Sequence, residues 1–137
     1  IEADVRINVP AAKHHSLTRA SLGMKNWLGA IDGRRNQLHQ QIARASAELA
    51  AFFRPTLTVL DASRLLVRNG PQGGDPNDVE TPRVLLAGTD PVAIDAFGAS
   101  LLGLAPAELP HLAIAEQLGL GRPEWRGPGL VEIDLEA

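Results

Sequence analysis

The residues best suited to chemistry are concentrated near the start of the chain. Both lysines, Lys13 and Lys25, and three of the four histidines, His14, His15 and His39, fall within its first third. An imidazole titrates near neutral pH and binds transition metals, whereas an ammonium group binds carboxylate or phosphate. The composition of this stretch therefore predicts a site for a metal or for a small anion.

The three histidines are candidate metal ligands. One or two imidazoles with a carboxylate suit Fe, Mn, Zn or Ni, so we predict a divalent transition metal at His14, His15 and His39. The adjacent pair points in opposite directions on an extended backbone, so only one of the two can face the same site as His39. Capping, hydrogen-bonded or solvated histidines remain the alternative, because no HExxH or HxH spacing is present.

The basic side chains of the same stretch favour an anionic ligand. They outnumber the acidic ones: Lys13, Arg19, Lys25, Arg34 and Arg35 against Asp32 alone. We predict that Lys13 and Lys25 bind the anion and that Asn26 orients it. A solvated surface is the alternative, but Lys25 and Asn26 lie beside Trp27 and between two glycines, which favours a shaped backbone site.

Two aspartates are candidate partners for these groups. Asp95 is the only charged residue of residues 91–104, a helix that is apolar on nearly every side. A buried carboxylate needs a partner or a raised pKa, so Asp95 is either a site residue or paired with an arginine or backbone amides. Asp61 ends a predicted buried strand, where it would bind substrate or form a turn.

Strands and helices alternate along the chain. Strands are predicted over residues 4–9, 56–62, 83–88 and 130–136, and the main helices over 16–30, 38–53, 91–104 and 108–119. This order predicts one α/β domain over residues 1–137, layered, with a mainly parallel mixed sheet flanked by helices. Ligands bind beyond the carboxyl ends of such strands, where Pro10 to His15, Asp61 and Asp90 are expected.

The composition excludes several classes of function. With 13 Lys and Arg against 16 Asp and Glu, the net charge of −3 argues against nucleic acid as the main partner. No apolar run approaches the roughly 18 residues of a membrane span, and no signal-peptide pattern is present. The first residue is Ile1, so we expect a piece of a longer protein whose export signal, if any, lies upstream.

Five blocks resemble the DUF362 family, a family of unknown function. They are, in order, ADVRINVPAAKHH, LTRASLGMKNWLGAIDGRRNQLHQ, LTVLDA, NGPQGG and AGTDPVAIDAFGASLLG. The resemblance runs from about Ala3 to Gly121 and matches the family's histidine to His15 by position. It implies the C-terminal part of a longer α/β protein. Members are often described as iron–sulfur cluster-binding because many carry ferredoxin-like cysteine motifs elsewhere; this chain has no cysteine and ligates no cluster.

Two hypotheses follow for the function. The first is a metal- or cofactor-dependent enzyme for redox or group transfer on a small anionic substrate, with His15, His39, Lys25 and Asp95 as catalytic residues. The second is a non-catalytic assembly module that docks on a ferredoxin-like partner, with Trp125 in an exposed apolar patch. His111 is expected at the surface in either case.

Overall fold

A computed structural model of the chain describes residues 3–33, 35–73 and 75–134. The strands are β1 (Ile7–Asn8), β2 (Ala11–His15), β3 (Arg19–Ser21), β4 (Leu57–Leu66), β5 (Val79–Glu80) and β6 (Val84–Gly88). The α-helices are α1 (Gly23–Asn26), α2 (Ile42–Phe53), α3 (Pro91–Leu101) and α4 (Pro110–Gln117). Short 3-10 helices cover Trp27–Gly29, Arg35–Gln41, Pro76–Asp78 and Pro106–Glu108.

Strand β4 is the centre of a six-stranded mixed sheet. Strands β1 and β2 run parallel to it, with Ile7 opposite Leu57 and Ala11 opposite Asp61. On its other edge β6 and β5 run antiparallel to it. Strand β3 extends the sheet as the antiparallel neighbour of β2. The predicted α/β layered fold with a mixed sheet and flanking helices is confirmed.

The strand that carries the histidines differs from the prediction. Pro10 was expected to end the first strand and to leave the histidines in a loop, but the chain resumes as β2 and places His14 and His15 within the sheet. Proline lacks the N–H that a strand donates, which interrupts the ladder. Its carbonyl still accepts a hydrogen bond from the Asp61 N–H (2.8 Å), so the pairing with β4 continues on both sides of it.

The helices pack on one face of the sheet. Side chains of β4 alternate, so that Thr58, Leu60 and Ala62 are buried in the helix-facing core. Helix α3 supplies the next layer and begins as predicted, because the Asp90 carboxylate accepts hydrogen bonds from Val92 and Ala93 N–H. The core is rich in small and branched residues, among them Leu22, Ala47, Leu65, Val92, Ala96, Ala99, Leu109 and Leu112.

Other predicted boundaries were wrong. The helix expected over residues 16–30 is instead strand β3 followed by the short α1 and a 3-10 turn. Strand β5 lies between residues 62 and 83, where no strand was predicted, and the last predicted strand is absent over residues 130–134, the part of it that the structure describes. Among the described residues, no helix combines the length and apolar character needed to cross a membrane.

Candidate functional site

Helix α1, which carries Lys25 and Asn26, is held by a buried carboxylate. Asp95 is fully buried in α3 and accepts hydrogen bonds from the backbone N–H groups of Gly23 (2.7 Å) and Met24 (3.1 Å). A β-carbon at position 23 would lie 2.8 Å from Asp95 Oδ1, so only glycine permits this approach. Asp95 thus pairs with backbone amides, as one of its two predicted roles required. It fixes the start of α1, the helix that carries Lys25.

A histidine that the sequence analysis left at the surface completes this network. His111 is only 5% exposed, and its Nε2 lies 3.1 Å from Asp95 Oδ2. The expectation of a surface position was therefore wrong. Its position in α4 carries a signal that was available, since His111, Leu112 and Ala115 share the buried side of that helix at helical spacing. We call Asp95, His111 and the two amides the Asp95 network.

The predicted cationic residues do come together. His15 is 8% exposed, and its pKa is lowered from 6.5 to about 4 by burial and then by the charges of Lys25, His39, Lys13 and His14. No carboxylate of the described residues acts on it. We call Lys13, His14, His15, Lys25 and His39 the cationic cluster.

Lys25 is the most enclosed ammonium group of this cluster. It is half-buried, and both that burial and the neighbouring Lys13 lower its pKa, because each penalises the charged form. A lysine in this state exchanges its proton more easily than a solvated one. The lowered pKa means that the charged form of Lys25 is disfavoured in this arrangement. An anion bound between the two ammonium groups would favour the charged form again.

The imidazoles of β2 are oriented by backbone amides. Gly70 N–H donates to His14 Nδ1 (3.0 Å), while Leu17 N–H donates to His15 Nδ1 (3.2 Å). A neutral imidazole has one acceptor and one donor nitrogen, so the proton of each ring is on Nε2. Both histidines therefore present an N–H donor as their remaining group, which suits an anion. Metal-ligating histidines show the opposite arrangement, in which the second nitrogen donates.

A cavity of about 240 Å³ adjoins Lys25. Its walls combine apolar and polar side chains: Leu17, Thr18, Arg19, Lys25, Ile42, Ala43, Ser46, Glu108, Pro110 and His111. Arg19 and Glu108 form an ion pair there. The cavity thus connects Lys25 of the cationic cluster with His111 of the Asp95 network.

Two other predicted site residues, Asn26 and Asp61, form hydrogen bonds with neighbouring residues of the fold. Asn26 donates to Asn8 Oδ1 (2.8 Å), and Asn8 in turn donates to the Gly23 carbonyl, so Asn26 braces α1. Hydrogen bonds from the side chain and then the backbone N–H of Ser63 lower the pKa of Asp61, and Asp61 is not among the groups that act on His15 or Lys25. Arg34 lies outside the described residues, as does the side chain of Arg35.

The metal site predicted at His14, His15 and His39 stays a prediction. Within residues 3–33, 35–73 and 75–134, no three His, Asp or Glu side chains form a group that could hold a metal ion. The iron–sulfur cluster of the family resemblance does not fit this chain either, because the chain has no cysteine to ligate it.

Comparison with known proteins places the chain in a family. A family model described as "Domain of unknown function (DUF362)" matches residues 1–100. The chain therefore belongs to the DUF362 family. The matched residues include the whole cationic cluster and Asp95, whereas His111 lies beyond them. The DUF362 model thus covers both Asp95, which holds α1 in place, and Lys25, which α1 carries.

A curated relative extends the DUF362 match along most of the chain. The "Thylakoid-associated protein sll1697" of Synechocystis sp. is 34% identical over 128 residues, which cover 88% of this chain and 39% of that protein. The chain therefore spans about two-fifths of that relative's length. No solved structure matches the chain.

Proposed function

We propose that this DUF362 domain is an enzyme that binds a small anionic substrate at the cationic cluster. Lys13 and Lys25 would neutralise the anion, and the Nε2–H group of His15 would donate to it. His39, which is exposed and close enough to act on His15, would complete the site from the 3-10 helix Arg35–Gln41.

The main support is the uncompensated positive charge around a buried imidazole. Burial and four neighbouring basic groups lower the pKa of His15, and no described carboxylate counteracts them. Gathering like charges in a partly desolvated site costs free energy, and an anion repays that cost by making charge-assisted hydrogen bonds. A neutral His15 also stays available as a proton acceptor or donor near pH 7, after a change of hydrogen-bond partner.

The geometry favours an anion over the metal that the histidines first suggested. A metal on Nε2 of His14 or His15 would require the proton to leave that nitrogen while Nδ1 keeps its backbone hydrogen bond. We therefore propose an enzyme whose lysines and imidazoles bind the substrate directly. A cofactor for its redox or group-transfer chemistry would have to come from outside this set of side chains.

Calorimetric titration with inorganic phosphate tests the proposal. Replacing Lys25→Met removes one ammonium group of the site, and we expect the affinity to fall by about tenfold or more, since a hydrogen bond to a charged group contributes roughly 1.5–3 kcal/mol. Arg44→Met is the matched control, because Arg44 is exposed and already paired with Glu48. Equal phosphate affinity in wild type and Lys25→Met contradicts the proposal.

A second candidate function has its own observation. The face of the sheet opposite the helices exposes Ile7, Val9 and Leu85 to between 56% and 67%. Exposed apolar side chains on one face of a sheet favour a docking site, so we infer that a non-catalytic module would bind its ferredoxin-like partner here. Trp125, which the docking hypothesis placed in such a patch, packs edge-on against Phe97.

Sedimentation of the domain with a purified ferredoxin tests the docking function. Val9→Asp would abolish a complex formed through the sheet face, whereas Leu118→Asp, at an exposed leucine after α4, would leave it intact. Absence of a complex with the wild-type domain contradicts this candidate.

A further inference from the structure

Lys25 lies between the cationic cluster and a cavity with apolar walls. On one side it is part of the cationic cluster, and on the other it lines the 240 Å³ cavity with Leu17, Ile42 and Pro110. Leu17 is 58% exposed at this cavity, so an apolar surface is left open beside the amine. A lysine amine next to a second cation and to apolar walls is in the environment that activates amine nucleophiles.

We propose that Lys25 forms an imine with a small oxo carboxylate bound in this cavity. The carboxylate would lie toward Lys13 and His15, and the carbonyl group would lie at Lys25 Nζ. This inference rests on the proposed function, because it uses the same anion site and adds the chemistry of the bound substrate. It also explains why both lysines of the chain share one site.

The protonation state of Lys25 supports this role. Only a neutral amine attacks a carbonyl carbon, and burial together with the charge of Lys13 lowers the pKa of Lys25. A larger fraction of neutral amine is therefore present near pH 7 than for a solvated lysine. Neutralisation of Lys13 by the substrate carboxylate would then reduce the electrostatic repulsion on the imine when it is protonated.

The reaction balances without an oxidant or reductant. Lys25 Nζ attacks the carbonyl carbon, a C–N bond forms, and a proton moves from nitrogen to the former carbonyl oxygen to give a carbinolamine. The hydroxyl group then leaves as water with a second proton, and the C=N bond of the imine remains.

An imidazole is available in the cavity for these proton transfers. His111 lines it, and its Nε2 lies 3.1 Å from Asp95 Oδ2; the neutral ring that donates from Nε2 to this carboxylate has its lone pair on Nδ1. Asp95 holds the ring in this orientation and also fixes the start of the helix that carries Lys25. The Asp95 network thus positions both the amine and the imidazole.

The cavity volume limits the size of the substrate. A volume of 240 Å³ corresponds to about eight water molecules at roughly 30 Å³ each. An oxo carboxylate with a short aliphatic chain fits this space, and Ile42, Ala43 and Pro110 would contact that chain.

Reductive trapping of the full chain with pyruvate tests the inference. Sodium cyanoborohydride converts an imine to a stable secondary amine, and peptide mass mapping then assigns the added mass among Lys13, Lys25 and the N-terminal amine. We expect label on Lys25 at least tenfold above that on Lys13 at pH 7.5. Acetone, a neutral ketone of similar size, should label Lys25 at least tenfold less.

Two variants separate the cavity from the anion site. Lys25→Arg keeps the positive charge and should bind phosphate but lose the label. Ala43→Leu fills the cavity and should reduce the label several-fold with phosphate affinity unchanged, whereas Ala113→Leu, at an exposed position of α4, should change neither. Circular dichroism confirms that each variant is folded.

The outcomes distinguish the inference from the function on which it rests. Phosphate binding that depends on Lys25, together with no pyruvate label on Lys25, overturns the imine and leaves the anion site standing. Absence of both overturns both. Equal labelling by pyruvate and acetone contradicts recognition of a carboxylate.

Discussion

Two polar clusters meet at helix α1, and they differ in how their charge is balanced. In the Asp95 network, one buried carboxylate receives two backbone N–H groups and an imidazole, so its buried oxygens are satisfied. In the cationic cluster, two ammonium groups and three imidazoles gather without a described carboxylate acting on the buried member.

We assign the Asp95 network a structural role and propose a functional role for the cationic cluster. A satisfied buried network stabilises one conformation, here the position of α1 against α3. An unbalanced cluster lowers the stability of the free protein, and we propose that a bound anion supplies the missing charge. The predictions below test this contrast, beginning with the largest expected effect.

Removing the carboxylate of the satisfied network should be the most damaging change. Asp95→Ala leaves the Gly23 and Met24 amides and His111 without their acceptor, and we expect the free energy of unfolding to fall by about 3–5 kcal/mol. Urea denaturation at pH 7 measures it. Asp61→Ala is the control, because that partly exposed carboxylate accepts only local hydrogen bonds from Ser63. Equal losses in the two variants would show that Asp95 has no special structural role.

Crowding the same network should have a smaller effect. In Gly23→Ala the added methyl group meets Asp95 Oδ1 at 2.8 Å, and we expect a loss of about 1–3 kcal/mol. A β-carbon at Gly29 has no neighbour within 4 Å, so Gly29→Ala should change stability by about 0.5 kcal/mol or less. Thermal unfolding of both variants tests the contrast, which a harmless Gly23→Ala would refute.

The cationic cluster should make stability depend on pH. The native pKa of His15, about 4, lies below its value of 6.5 in the unfolded chain, so between these values the unfolded chain binds a proton that the native protein does not. Stability is therefore full above pH 6.5 and falls as the pH drops toward 4.

We expect this loss to be on the order of 1–2 kcal/mol, reduced by solvent screening around the partly open cluster. Urea denaturation of wild type and His15→Gln at pH 7 and pH 4.5 isolates it. His15→Gln should lose less stability on acidification than wild type. The same pH dependence in both proteins would assign the effect to other groups.

Removing one charge from the cluster should give the smallest change in stability. Lys25→Met relieves repulsion at His15, so the pKa of His15 should rise from about 4 while global stability changes little. An NMR titration of the ring protons measures it, with Arg44→Met as the control. A pKa that stays at the wild-type value would show that Lys25 does not act on His15.

The parts of the fold that depend on local sequence could be predicted. Helix α3 and its Asp90 cap follow from local chemistry, and the apolar run of β6 predicts a strand in any environment that covers it. The path across Pro10 could not be predicted, since it depends on the Asp61 amide of a distant strand. The strand expected over residues 130–136 had the right alternation, but a strand needs a partner edge, which local sequence does not reveal.

The candidate site also has features that the sequence could predict and features that it could not. Its residue types pointed to Lys13, Lys25 and the histidines, because their charge is visible in the sequence. The partner of Asp95 was not visible, because His111 reaches it only through the packing of α4 on α3. The proposed preference for an anion over a metal rests on two backbone N–H donors to the imidazoles, a tertiary detail that spacing cannot supply.

The most direct test of the anion site is the pKa of His15 with and without sulfate. Sulfate keeps its charge across the titration, and chloride at matched ionic strength controls for screening. An anion bound at the cationic cluster should raise the pKa of His15 well above about 4, because it favours the charged ring, and the rise should be lost in Lys25→Met. A His15 pKa that is the same in sulfate and in chloride would contradict the account.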